Sequence, residues 1–251
     1  MGAEALTSRR TLRVLDDEGD LESGGDDDLS FWSDACADTS GPIFEFGCGG
    51  GRILAHLATV GRELIGIDID PVALDLARRR LPTATLIHDD LLSWTPPERL
   101  RRSVGLVIAG GDLLPLFTES DDLQRLFDQA AALLQPSGLF GIDATLIDRA
   151  LLRDAVNDPE WSEDARWSSD ERGVVRRESR LLPDPARRPG HAQLQIRHWH
   201  DGDSVPDQRD PFPIRAWQPA EIARIAERAG LRLSRPAAHD RLRWLLRSGH
   251  V

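Results

Sequence analysis

The sequence predicts an α/β protein built on a doubly wound parallel sheet. Short apolar runs alternate with amphipathic helical patterns from residue 43 to residue 143, and strands separated by helices at this spacing form parallel sheets. Glycines at 47, 49, 50 and 51 follow the first apolar run, where the chain must turn sharply from a strand into a helix. Acidic residues follow the successive runs. Because ligands of such sheets bind at the carboxyl ends of the strands, we expect a site lined by carboxylates.

The first predicted elements flank these glycines. Residues 43–46 form the first apolar run and residues 64–67 the second, with a helical pattern at 52–59 between them. Asp70 is placed to cap the next helix, and Pro71 suits its first position. The remaining elements of this region are predicted as strands 85–87, 105–109 and 139–142 and a helix at 123–134.

The period of the pattern changes after residue 143. A helical pattern at 146–156 precedes alternating segments joined by turns rich in Pro, Gly and Asp, which predicts an antiparallel β insertion after the fifth strand. A helix and two short strands then complete a seven-stranded sheet. The predicted segments are strands 173–182, 192–201 and 204–214, a helix at 218–229, and strands 231–233 and 242–246.

These patterns divide the chain into four segments. Residues 1–30 form an acidic, flexible arm, since eight acids lie between Asp16 and Asp28 with few core-forming residues among them. Residues 31–143 form the nucleotide-binding core, residues 144–215 the insertion, and residues 216–251 the last helix and strands of the core.

Composition limits the possible functions. No apolar run approaches the roughly 20 residues that a membrane helix requires, and the amino terminus lacks the apolar core of a signal peptide, so we expect a cytoplasmic protein without a membrane partner. Two cysteines are too few for a disulfide framework or a structural zinc site, and we expect no metal. The net charge of −11 opposes binding to nucleic acid.

The glycines and the acids together favour one kind of ligand. A dinucleotide-binding loop has the spacing G-x-G-x-x-G, but Arg52 stands where the third glycine would fall after Gly47 and Gly49. A pyrophosphate would also meet Glu45 and the neighbouring acids. A cationic ligand that carries a ribose and no phosphate suits this lining better.

Several segments together resemble known motifs. The sequence EFGCGGG at 45–51 matches the E/D-x-G-x-G-x-G motif of class I S-adenosylmethionine-dependent methyltransferases. IGIDIDPVALDLAR, TLIHDDLLSW, LVIAGGDLLPLF and LLQPSGLFGIDA are similar to the motifs that follow it in that superfamily, in the same order. The resemblance, to the Methyltransferase-25-like branch, extends from about residue 41 to 143 and resumes in QPAEIARIAERAGLRL. It implies the Rossmann-like, seven-stranded class I methyltransferase fold.

The resemblance also implies how the cofactor S-adenosylmethionine is held. Glu45 orients the glycine loop, and Asp68 accepts hydrogen bonds from both ribose hydroxyls. Asp90, or alternatively Asp89, accepts from the adenine amino group. The other residues implied are Gly47, Gly49 and Gly51 at the methionyl part, Ile69 and Leu91 on the adenine, and Ala109 after the fourth strand.

Candidates for catalysis and acceptor binding come from less specific features. Methyl transfer requires a base only when the acceptor is protonated, and Asp112, His198 and His200 are candidates. On a strand the two histidines share one face, with Trp199 on the other. The family's polar pair after the fourth strand is replaced by AGGD at 109–112, and the chain has no tyrosine. Phe31 and Trp32 are therefore expected to contact the acceptor, together with Asp112 and Trp199.

We therefore expect a methyltransferase that acts on an oxygen or nitrogen atom of a small molecule, in particular a specialised metabolite, and releases S-adenosylhomocysteine. The insertion and the acidic arm are expected to close over the acceptor, and the protein to be a monomer or homodimer. The alternative is a protein that binds S-adenosylmethionine without transferring methyl, as a cyclase-like enzyme or a binding module.

Overall fold

A computed structural model describes residues 26–169, 173–237 and 241–249, and these residues fall into two compact units. The larger unit comprises residues 26–146 and 217–249, and the smaller unit comprises residues 147–216. The acidic arm predicted from the sequence lies outside the described residues as far as residue 25. No helix in the described ranges is long and apolar enough to cross a membrane.

The larger unit is an α/β unit with a seven-stranded sheet. Its helices are α1 (Asp26–Ala37), α2 (Arg52–Leu57), α3 (Pro71–Arg80), α4 (Ser120–Leu133) and α6 (Pro219–Arg228), and its strands are β1 (Ile43–Phe46), β2 (Leu64–Asp68), β3 (Thr85–His88), β4 (Val104–Ala109), β5 (Leu134–Thr145), β11 (Leu231–Ala237) and β12 (Arg241–Ser248).

The order of the strands in this sheet is β11-β12-β5-β4-β1-β2-β3. Strands β1 to β5 are mutually parallel, whereas β12 lies antiparallel between β5 and β11. The strand order reverses between β1 and β4, so a crevice is expected at the carboxyl ends of these strands. This architecture confirms the predicted doubly wound α/β fold with seven strands.

Both faces of this sheet are buried, which explains why its strands read as continuous apolar runs. Alternate residues of one strand join different cores: Phe44 lies in one cluster with Phe127 of α4, and Ile43 lies in the other with Leu54 of α2. The helices α1, α2 and α3 cover one face, while α4 and α6 cover the other. The sheet therefore holds the carboxyl ends of its strands on a rigid support.

The smaller unit is an antiparallel sheet with one helix. Strand order is β10-β8-β7-β6, β9 pairs with β8, and Leu152 packs against Ala192 and Ile214. Its elements are α5 (Arg149–Asn157), β6 (Ser162–Ser169), β7 (Gly173–Pro183), β8 (His191–His200), β9 (Asp207–Gln208) and β10 (Phe212–Arg215).

Two details of the smaller unit differ from the predicted elements. Strand β6 was not predicted, because only Ala165 and Trp167 of its side chains are buried among polar neighbours. The single strand predicted at 204–214 is instead β9 and β10, separated by three residues. Pro211 lies in that gap, where a proline has no N–H to donate to a strand partner.

Candidate functional site

The glycine loop after β1 needs glycine for two different reasons. Gly47, Gly49 and Gly51 all have positive φ, at 61°, 52° and 80°, a region that other residues rarely adopt. A Cβ at Gly47 would lie 2.8 Å from Leu113, and one at Gly51 2.9 Å from Leu81, so these two positions are closed by packing. Apart from Gly49 and its two chain neighbours, the described residues place no heavy atom within 4 Å of a Cβ built at Gly49. The backbone at Gly49 is therefore open to close approach by a ligand.

Asp68, the last residue of β2, ties that strand to the glycine loop. Its Oδ2 accepts from the Gly49 N–H at 2.8 Å, and its Oδ1 accepts from the Asp70 N–H at 2.8 Å. The residue is buried, but each carboxylate oxygen has a second lone pair that can accept from a hydroxyl. The neighbouring Ile69 is 64% exposed, although it is a large apolar residue. The two residues thus offer an acceptor and an apolar surface side by side.

The turn after β3 arranges the second acidic pair. Asp90 Oδ1 accepts from the Leu92 N–H at 2.9 Å, and Asp89 Oδ1 accepts from the Asp90 N–H at 2.8 Å. Asp89 is exposed and Asp90 half-buried. Leu91 is only 9% exposed and belongs to the hydrophobic core. Most of the Leu91 side chain is therefore used in packing, while both carboxylates keep oxygens that can accept from a ligand.

Glu45 is a buried acid next to the glycine loop. Burial raises its pKa to about 8, although Arg52 and a hydrogen bond from the Leu54 N–H act in the opposite direction. Its Oε2 is buried and has no hydrogen-bond partner among the described residues. Arg52 in turn forms an ion pair with Asp28 of α1. A buried acid with one unsatisfied oxygen suits a ligand that brings N–H donors or positive charge.

The loop after β4 is anchored by a cluster that the sequence did not predict. Asp112 has φ 59° and accepts from the Thr145 N–H at 2.5 Å and from Arg241 at 3.1 Å. Arg241 Nε also donates to Asp143 at 2.8 Å, and Asp143 is almost fully buried. Burial raises the pKa of Asp143, and the adjacent Arg241 and Arg243 oppose that shift. These contacts fix Asp112 as an anchor of its loop, and its predicted role as a base stays a prediction.

The two predicted histidines lie in the smaller unit and differ in environment. His198 is fully buried with its ring edge-on to Trp167, and burial followed by the charge of Arg177 lowers its pKa to about 4. His200 Nε2 lies 3.7 Å from Asp207 Oδ2. Burial thus makes His198 part of the packing around Trp167, and the predicted roles of His198 and His200 as bases stay predictions. Trp199, on the other face of β8, donates its Nε1–H to Glu178 at 3.0 Å.

The two aromatic residues predicted to contact the acceptor lie on α1. Trp32 is fully buried, and a Cβ built at Gly141 would approach its ring to 2.5 Å. The same ring lies close to Gly110 of the loop after β4. Trp32 therefore supports this loop from within the core, and its predicted contact with the acceptor stays a prediction. Phe31 is partly buried and packs edge-on against Trp32 with ring centroids 4.8 Å apart, and its predicted contact with the acceptor stays a prediction.

Comparisons with known proteins agree on the kind of domain. Residues 43–138 match the family model described as a methyltransferase domain. A trans-aconitate 2-methyltransferase of Rhizobium meliloti (strain 1021) is 29% identical over 175 residues, which are 64% of this chain and 60% of that protein. The chain therefore spans less than two thirds of the length of this curated relative.

Solved structures share the fold at low sequence identity. An S-adenosylmethionine-dependent methyltransferase from Clostridium acetobutylicum ATCC 824 superposes with a TM-score of 0.73 at 14% identity, covering 95% of this chain and 99% of that one. CalS10 from Micromonospora echinaspora, an amino pentose methyltransferase solved with bound S-adenosylmethionine, has a TM-score of 0.66 at 16% identity and 91% coverage of both chains.

Proposed function

We propose that the chain is a class I S-adenosylmethionine-dependent methyltransferase, which the matched methyltransferase domain supports, and that it transfers a methyl group from S-adenosylmethionine to an oxygen or nitrogen atom of a small molecule. The observation that carries this proposal is the contact between Asp68 and the Gly49 N–H at the carboxyl ends of β1 and β2. Because of this contact, a carboxylate that can still accept hydrogen bonds lies beside backbone with open space around it, which supports the proposal.

Each residue at the carboxyl ends of these strands contacts a different part of the cofactor. When bound, S-adenosylmethionine supplies an electrophilic methyl carbon on a sulfonium. Gly49 admits the methionyl part, Asp68 accepts from the ribose hydroxyls, and Ile69 packs on the adenine, with Asp89 or Asp90 accepting from its amino group. The unsatisfied oxygen of Glu45 favours a ligand with N–H donors or positive charge over a phosphate.

The names of two similar proteins support the proposed acceptor class. One relative is named for trans-aconitate and one structural neighbour for an amino pentose. An oxygen or nitrogen acceptor in a small specialised metabolite is consistent with both names. His200 removes a proton where the acceptor nucleophile is protonated, and an acceptor that is already ionised requires no base.

The test is turnover with a panel of acceptors. The protein is incubated with S-adenosylmethionine and each of trans-aconitate, amino sugars and small phenols, and S-adenosylhomocysteine and the methylated product are measured by mass spectrometry. We expect stoichiometric formation of both with at least one acceptor. Tight binding of S-adenosylmethionine without product from any acceptor would favour the alternative of a binding protein that transfers no methyl.

A variant at Asp68 tests the cofactor assignment separately. Asp68→Ala should weaken S-adenosylmethionine binding by about tenfold or more, because hydrogen bonds to a charged acceptor each contribute roughly 1.5–3 kcal/mol. Asp75→Ala is the matched control, since Asp75 is exposed and pairs with Arg78 on the surface of α3. Calorimetry on variants of unchanged thermal stability gives the affinities. Equal affinity in both variants would contradict the role of Asp68.

A further inference from the structure

One face of the sheet in the smaller unit carries a layer of arginine and tryptophan side chains. The Arg197 guanidinium lies 4.0 Å from the centroid of the Trp161 ring, and the Arg180 guanidinium lies 4.5 Å from the same centroid. Arg197 also lies 5.2 Å from the ring of Trp199, and Arg176 lies 5.6 Å from it. Arg176 and Arg180 lie on the same face of β7. Arg197 lies on that face of the neighbouring strand β8, opposite Glu178.

The carboxylate of Glu178 pairs with two of these three arginines. Glu178 accepts from Arg197 Nε at 2.6 Å, and its Oε1 lies 3.3 Å from Arg176 Nε. Burial alone would raise the pKa of Glu178, but hydrogen bonds from Arg197 and Trp199 lower it below its ordinary value. Glu178 is therefore ionised, and its carboxylate oxygens already pair with Arg197 and Arg176. In the described part of the chain, neither oxygen of Glu178 pairs with Arg180.

Arg180 is the arginine left without a carboxylate among the described residues. Its Nε donates to Gln195 Oε1 at 2.9 Å, and Gln195 is a neutral, buried acceptor. The two terminal nitrogens of Arg180 have no acceptor in the described part of the chain. Both Arg180 and Arg197 lie against Trp161, so two positive charges share one indole ring. An anion placed beside Arg180 would offset part of this positive charge and accept from a planar pair of N–H groups.

We propose that Arg180, Arg197 and Trp161 form a binding site for a small molecule that carries a carboxylate. A planar carboxylate can accept two parallel hydrogen bonds from the free edge of Arg180 while its carbon skeleton lies along the indole. Inorganic phosphate has no carbon skeleton to lie along the indole, so it should bind more weakly than an organic carboxylate. The site lies wholly within the smaller unit, and its occupation does not require methyl transfer, so this inference goes beyond the proposed function.

The test is direct binding of a carboxylate probe to the intact chain. Citrate is titrated at constant ionic strength without cofactor. Binding is measured by calorimetry and by tryptophan fluorescence, to which Trp161 contributes. We expect saturable binding that weakens about tenfold in Arg180→Gln, because one charge-assisted pair is lost. Arg180→Lys keeps the charge but not the planar guanidinium. Its affinity for citrate should therefore lie between those of the wild-type chain and Arg180→Gln.

Arg166→Gln is the matched control for charge. Arg166 lies on β6 of the same sheet, but both of its hydrogen bonds are already made to Glu163, at 2.9 Å and 2.7 Å. Its replacement should change citrate affinity less than about twofold, since it only alters long-range charge. Absence of saturable binding, equal weakening in Arg166→Gln and Arg180→Gln, or binding of phosphate as tight as that of citrate would each overturn the proposal. Thermal melts establish that each variant is folded, and Arg180→Lys replaces Arg180→Gln if the latter does not fold.

Discussion

Glu45 is a residue whose ionisation is strongly coupled to folding. Its pKa is about 8 in the folded chain because of burial, against 4.5 for the unperturbed side chain. The folded state therefore binds a proton that the unfolded state has already lost between these two values. Stability must fall as pH rises through this window, and the fall is complete once the pH exceeds the folded pKa.

The prediction is that Glu45→Gln flattens this pH dependence. The wild-type chain should lose a few kcal/mol of unfolding free energy between pH 6 and pH 9 without cofactor, since each pKa unit corresponds to about 1.4 kcal/mol. Glu98→Gln is the control, because the Glu98 side chain is almost fully exposed. Urea unfolding at both pH values measures the difference. An unchanged loss in Glu45→Gln would contradict the burial argument.

The two histidines of β8 should respond differently to the same substitution. His200→Ala should lower kcat and leave the affinity for S-adenosylmethionine unchanged, because all candidate cofactor residues lie in the larger unit. His198→Ala should lower stability by about 1–3 kcal/mol, since it empties a buried position beside Trp167. Turnover and urea unfolding of both variants separate the effects. Full activity of His200→Ala with every productive acceptor would exclude His200 as the base.

The pairing of β5 with β12 brings charged side chains together in the larger unit. Arg241 at the start of β12 lies opposite Thr145 at the end of β5 and contacts both Asp143 and Asp112. Removing Arg241 would leave the buried carboxylate of Asp143 with only the more distant Arg243, at 3.5 Å. The cluster thus couples the antiparallel strand to the loop that follows β4.

We predict that Arg241→Gln destabilises the chain by about 3 kcal/mol, because breaking a buried ion pair leaves an uncompensated charge. Adding Asp143→Asn should restore part of this loss, since the orphaned charge is then removed. Arg247→Gln, an exposed position on the same strand, is the control and should change stability by less than about 0.5 kcal/mol. Chemical denaturation measures all four proteins. A double variant no more stable than Arg241→Gln would show that charge is not the cause.

The elements that sequence patterns predicted well are those buried on both faces. Strands β1, β2 and β4 are continuous apolar runs, and their burial leaves little ambiguity about their type. Strand β6 has few buried side chains, so its pattern resembled a loop. The cluster around Arg241 was missed for a different reason: its partners, Asp112 and Asp143, are 129 and 98 residues away in sequence. Local patterns carry no information about such pairs.

The change in the period of the hydrophobic pattern after residue 143 indicated a separate segment. Residues 147–216 indeed form a compact unit. The glycine loop and Asp68 were predictable because their chemistry is encoded in neighbouring residues. The burial of Trp32 was not, since it depends on Gly110 and Gly141, which only the folded sheet brings to its ring. Motifs thus indicate the cofactor, whereas the acceptor depends on packing that the linear sequence does not display.

We predict that the larger unit alone binds the cofactor and that methyl transfer also requires the smaller unit. The larger unit has two hydrophobic cores of its own, and Leu146 and Trp217, which flank the smaller unit in sequence, both pack in the first of these cores. Replacing residues 147–216 by a flexible linker of about six residues should therefore leave a folded larger unit. It should bind S-adenosylmethionine within about threefold of the full chain, less than 1 kcal/mol of difference.

The same deletion should abolish methyl transfer, because the predicted base His200 is removed with the insertion expected to cover the acceptor. Circular dichroism, calorimetry with S-adenosylmethionine and the product assay are measured on the deleted and full chains side by side. A second chain, with Asp68→Ala in the deleted background, checks that the retained affinity comes from the same site. Loss of cofactor affinity in a folded deletion chain would place part of the cofactor site in the smaller unit, and retained turnover would exclude that unit from catalysis.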